Sequence, residues 1–135
     1  MNYTTLEQSR KLVECGLPQE TCDMCYIENP VGEYRITAYP MVECAVLRDA
    51  RGSNADLYPS WSVGILMDML PDEIEYQGTY CYLGFSKTHI SYEGCDSYDS
   101  SYKIQPFYES DKPFIELLID TVCWLLENKH QINKD

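Results

Sequence analysis

Cys22-Asp23-Met24-Cys25 has the C-x-x-C spacing that can present two thiolates to one metal ion. A structural zinc site takes four ligands, usually from two such pairs, and the chain holds no second C-x-x-C. Cys44, Cys81, Cys95 and the two histidines would have to converge on it from remote positions. Zinc held through Cys22 and Cys25 is therefore an alternative, and neither a metal site nor a cofactor is assigned. The redox form of the motif wants a strand before it and a helix opening on its first cysteine, which lowers that thiol's pKa. Here a helical pattern and Pro18 come first. The seven cysteines (15, 22, 25, 44, 81, 95 and 123) are odd in number and spread through helix and strand patterns, so they read as reduced apolar fillers.

Nucleophilic catalysis needs a Cys or Ser beside a histidine that a carboxylate orients. His89 is the one plausible base, because His130 belongs to a segment expected to fray. On an alternating strand His89 shares a face with Tyr82, Ser91 and Glu93. A small hydrolase using His89 with Cys81, Cys95 or a serine is the second alternative; a strand histidine facing solvent is the simpler account. Asp68, Asp72, Glu73 and Glu75 form a compact acidic group without calcium-loop spacing or the glycine such loops require. They read as helix-start acids on a solvated face. The seven glycines are scattered singly, and none opens a phosphate-binding turn with a lysine.

Charge excludes more than any motif proposes. Asp and Glu number 22 against 10 Lys and Arg, a formal charge of −12 over 135 residues. Gripping nucleic-acid backbone requires clustered cations that displace condensed counterions. The longest basic run is Arg10-Lys11, and no cation lies between Arg51 and Lys87. Direct nucleic-acid binding is not expected. No stretch approaches the ~20 apolar residues of a membrane span. The opening Met1-Asn2-Tyr3-Thr4-Thr5 lacks the basic-then-apolar pattern of a secretory signal, so a cytoplasmic address is expected.

The elements that must position these residues are signposted unevenly. Thr4 with Glu7 forms a capping box for a first helix whose face carries Leu6, Ser9, Leu12 and Val13, with Gly16 as its stop. Pro18 opens a short second turn. Alternation predicts strands over 33–39 and, after Pro40, over Val42–Leu47. Residues 48–58 read as a polar loop. Ser60 caps a compact apolar helix from Trp61 to Leu70 that Pro71 ends.

Residues 79–93 read as a hairpin turning at Ser86-Lys87, pairing Phe85 with Thr88, Leu83 with Ile90 and Cys81 with Tyr92. One face then carries Cys81, Leu83, Phe85, Ile90 and Tyr92; the other carries Tyr80, Tyr82, Gly84, His89, Ser91 and Glu93. A loop follows, then a strand near Tyr102–Phe107. Ser110 or Asp111 caps a final helix reaching about Asn128, with Phe114, Leu117, Leu118, Thr121, Val122 and Leu125 on its core side.

Three stretches, YTTLEQSRKLVECGLPQETCDM, PSWSVGILMDMLP and VCWLLENK, together resemble a group of small uncharacterised proteins encoded in gut Bacteroidetes genomes and in the phages and prophages of those bacteria. The similarity spans most of the chain and is least in its middle. That family has no established activity, so no functional residue carries over. The resemblance implies an accessory protein of phage or mobile-element origin.

These observations lead to an α+β fold, a single domain over 1–135. An antiparallel sheet of about four or five strands is expected, with about three helices packed on one face. The leading function is a non-enzymatic acidic interaction protein. Its docking surface would hold Tyr80, Tyr82, His89, Glu93, Tyr98 and Tyr102, since tyrosine supplies amphipathic contact area at low entropic cost. A sharper form makes the chain a DNA mimic with carboxylates in phosphate-like rows. The partner is an unidentified protein, and open sheet edges also allow a homodimer.

Overall fold

A computed structural model of the chain describes residues 2–86, 89–95, 101–103 and 112–133. It divides into two compact units, Met1–Ile65 and Leu66–Lys134. The α+β class holds, but the single sheet does not. Two separate sheets form among the described residues, one of three strands and one of four, together with four α-helices.

In the first unit, helix α1 (Leu6–Glu14) is followed by a 3₁₀ turn (Gln19–Thr21), strands β1 (Met24–Glu28) and β2 (Tyr34–Thr37), helix α2 (Met41–Ala50) and strand β3 (Leu57–Ser60). The sheet order is β2-β1-β3, antiparallel throughout, with Cys25 opposite both Thr37 and Pro59 and Tyr26 opposite Ile36 and Tyr58. Pro59 cannot donate to a ladder, and it sits on an edge strand where that costs nothing. The two helices take opposite faces. Arg10 of α1 stacks over the Tyr58 ring at 5.8 Å, on the Tyr26 side, while Cys44 of α2 meets Thr37 on the Cys25 side, Sγ to Oγ1 3.3 Å. The expected arrangement, all helices on one face, is thereby overturned.

Several local expectations shift for identifiable reasons. The α1 cap is Thr5 with Gln8, one residue later than Thr4 with Glu7: Thr5 Oγ1 accepts from Gln8 N and Gln8 Oε1 accepts from Thr5 N. Thr4 is buried instead and binds Ser9, Ser60 and the Trp61 amide. Residues 42–47 are helix rather than strand. Two alternating apolar positions fit either period, and good helix formers behind a proline decide it. Only Cys44 of α2 is buried, whereas Val42 and Val46 are 70% and 67% exposed. Residues 57 and 58, expected in a loop, open β3.

Helix α3 (Val63–Met69) begins later than expected, because Ser62 rather than Ser60 accepts from the Ile65 amide at 3.2 Å. In the second unit, Glu73–Tyr76 is strand β4 rather than a helix start; β5 (Thr79–Ser86), β6 (His89–Cys95), β7 (Ser101–Lys103) and helix α4 (Phe114–Glu127) follow. The order is β4-β5-β6-β7. Gln77 and Gly78, at φ 53° and 80°, make the two-residue turn between β4 and β5 that right-handed strand twist favours.

The β5–β6 hairpin pairs Phe85 with Ile90, Leu83 with Tyr92 and Cys81 with Gly94. That register lies two residues from the one expected; positions 87 and 88, which the expected turn and its Phe85–Thr88 pair involve, lie outside the described residues. A slip of two preserves face identity, since side chains alternate with period two. The two rows of residues are accordingly those read from the sequence.

Helix α4 covers the inner row. Its Phe114 meets Phe85 and its Trp124 meets Tyr76, with ring centroids 6.3 and 5.5 Å apart, so α4 runs antiparallel to β5. Ile74, Cys81, Ile90 and Tyr92 are buried beneath it, and the Tyr92 hydroxyl donates to Pro71 O at 2.8 Å. The C-terminus of α4 does not fray as expected. Lys129 adopts φ 61°, His130 N donates to Leu125 O at 2.8 Å, and the His130 ring stacks on Trp124 at 5.3 Å. The expected caps Ser110 and Asp111 lie outside the described residues.

Candidate functional site

The outer row of the second sheet holds the exposed aromatic and acidic groups. β4 places Glu73 opposite Tyr82 and Glu75 opposite Tyr80, and β6 places Glu93 on the other side of Tyr82. Glu73, Glu75 and Glu93 are exposed, and Tyr80 and Tyr82 are 58% and 59% exposed. These are large rings left in water on a sheet whose other face is packed by α4. The row reads Glu73–Tyr82–Glu93 across three strands, with Glu75–Tyr80 beside it. Adjacent strands lie ~4.8 Å apart and alternate residues ~6.8 Å apart, so the five side chains form one continuous patch.

The other expected site residues distribute differently. His89 is half-buried at the far end of β6, opposite Ser86. Ser91 is buried, with its hydroxyl donating to Glu93 Oε1 at 3.3 Å. In register Tyr102 stands opposite Gly94. Tyr98 lies outside the described residues. Glu73 and Glu75 were missed as partners of the tyrosines because they read as helix-start acids. The signal was present in Tyr76-Gln77-Gly78-Thr79, a glycine turn between two alternating runs.

Of the chemical alternatives, the pairing of Cys81 with His89 does not assemble. Cys81 sits in the inner row and His89 in the outer one, so the strand itself holds that pair on opposite faces. Among the described residues no group of three or more His, Cys, Asp or Glu side chains is placed to hold a metal ion. Cys22, Cys25 and Cys44 are buried in the first unit. Burial pushes the Cys25 thiol up to about 12, with Cys44 adding to it, and raises Cys22 in the same direction. Both thiols are therefore held away from the thiolate form that attacks as a nucleophile.

Two further surfaces belong to the first unit. An open cleft of about 400 Å³ is lined by Glu28, Asn29, Gly32, Ser53 and Asn54. Asn29 Oδ1 there accepts from the Val31 and Glu33 amides at 3.1 and 2.9 Å, so it is a turn-forming group, and the cleft pairs no nucleophile with a base. On α2, Val42 and Val46 continue an exposed apolar strip with Leu47 and Tyr39. Sequence reading missed this strip by placing it in a strand.

No helix among the described residues is long and apolar enough to cross a membrane. No known protein family, curated protein or solved structure matches the chain.

Proposed function

We propose that this chain is a non-enzymatic interaction protein that docks on another protein through the outer face of the β4–β6 sheet. The observation that carries the reading is the pair Tyr80 and Tyr82, more than half exposed and set among Glu73, Glu75 and Glu93. Exposed aromatic rings cost solvation without helping the core. They are the residue type that dominates binding energy at protein interfaces. The cytoplasm is the working compartment, consistent with reduced, buried thiols. An origin in phage or mobile elements of Bacteroidetes rests on the sequence resemblance.

The alternation of carboxylates with rings favours docking on a protein over imitation of DNA, whose phosphates carry no aromatic groups between them. The test is comparative affinity capture with the intact chain and with a Tyr80→Ser/Tyr82→Ser double variant. Both side chains are exposed, so the variant keeps its far-ultraviolet circular dichroism. A partner recovered by the parent and lost by the variant supports the reading; identical recovery by both overturns it.

A further inference from the structure

We infer that the outer face of the β4–β5 hairpin recognises arginine side chains at alternate positions of an extended basic segment on the partner protein. The inference deepens the docking reading above and rests on it.

The hairpin presents the same small unit twice. Glu73 stands opposite Tyr82 and Glu75 opposite Tyr80, all four exposed on one face. Directly opposed residues hold their Cβ atoms ~4.5–5.5 Å apart, so each carboxylate stands beside its ring. That combination suits a guanidinium better than any other common cation. The planar group stacks on the aromatic face, and its fork of N–H donors reaches a carboxylate at the side. An ammonium is more strongly hydrated and gains less from the ring. Among the described residues no Lys or Arg forms an ion pair with Glu73 or Glu75. A formal charge of −12 draws a basic partner in.

Spacing supplies the rest. The two units repeat along the strand at ~6.8 Å, which is also the distance between residues i and i+2 of an extended chain. Arginines at alternate positions therefore fall on successive units, whereas adjacent arginines point to opposite sides of their own backbone. The Gln77-Gly78 turn pins the register, so the units cannot slide past one another.

The test uses the full chain and three synthetic peptides, read by fluorescence anisotropy at about 0.15 M salt. One peptide alternates arginine with serine, a second has the same composition with its arginines adjacent, and a third alternates lysine with serine. The alternating arginine peptide is expected to bind about ten-fold more tightly than either other peptide. Tyr80→Ser/Tyr82→Ser and, separately, Glu73→Gln/Glu75→Gln are expected to remove that preference.

Equal binding of all three peptides, or no binding, overturns the arginine assignment. So does a preference that survives both double variants. If the assignment fails while Tyr80→Ser/Tyr82→Ser still loses the captured partner, the docking surface stands with a different ligand chemistry. If capture is also unchanged, the docking reading falls with it.

Discussion

Thr4 is the point at which the first unit is most exposed to a single-atom change. Its Oγ1 lies 2.7 Å from Ser9 Oγ and 3.1 Å from Ser60 Oγ, and accepts from the Trp61 amide at 3.1 Å. Thr4, Ser9, Ser60 and Trp61 are all fully buried. Thr4→Val preserves shape and removes the oxygen. Ser60 keeps an acceptor in Thr4 O at 2.9 Å, but the Ser9 hydroxyl and the Trp61 N–H lose theirs. Stranding two buried polar groups costs about 1–3 kcal/mol each, so a total of about 3 kcal/mol is expected.

An unfolding entropy of about 2.1 cal/mol/K per residue converts that cost to a fall in Tm of about 10 °C for the 135-residue chain, and to more if the first unit melts separately. Thermal unfolding followed through Trp61 fluorescence in a Trp124→Phe background reads the first unit. Thr4→Ser is the control, because it keeps the hydroxyl and loses one methyl, worth about 1 kcal/mol. If Thr4→Val melts within about 2 °C of Thr4→Ser, the hydroxyl network contributes nothing and the reasoning is refuted.

Two further outcomes follow from the packing. A Cβ at Gly94 would lie 2.9 Å from Cys81 Sγ and 3.0 Å from Tyr80 O, so Gly94→Ala should cost about 1–3 kcal/mol by urea unfolding. Gly84→Ala, with nothing within 4 Å, should leave the midpoint unchanged or raised. Cys25 is raised from its ordinary 9.0 to about 12, so the unfolded chain releases this proton first. Its contribution is full below pH 9 and is lost as pH rises towards 12. Stability measured against pH should fall across that window, and Cys25→Ala should reduce the slope; an unchanged slope would falsify the assignment.

How far the candidate site was legible depended on which contacts are local. The alternation in Tyr80 to Glu93 assigned each side chain to its face, and it survived a two-residue error in register because parity did not change. It placed Tyr80, Tyr82 and Glu93 together. It could not bring in Glu73 and Glu75, because an acid after Pro71 fits a helix start as well as a strand. The same alternation already set Cys81 and His89 on opposite faces, and the pairing kept them there. Val42 to Leu47 shows the same limit in the first unit, where too few apolar residues distinguish period two from period 3.6.

The sequence by itself determined the net charge, the α+β class, the long C-terminal helix and the two-sided character of the 79–93 hairpin. Each follows from composition or from periodicity within one segment. Only the tertiary structure decided that strands sort into two sheets, that α1 and α2 take opposite faces of one of them, and that two glutamates stand beside two tyrosines. Those outcomes depend on which strand edges find one another, and backbone hydrogen bonds, being the same for every residue, leave no mark of their partner in the chain.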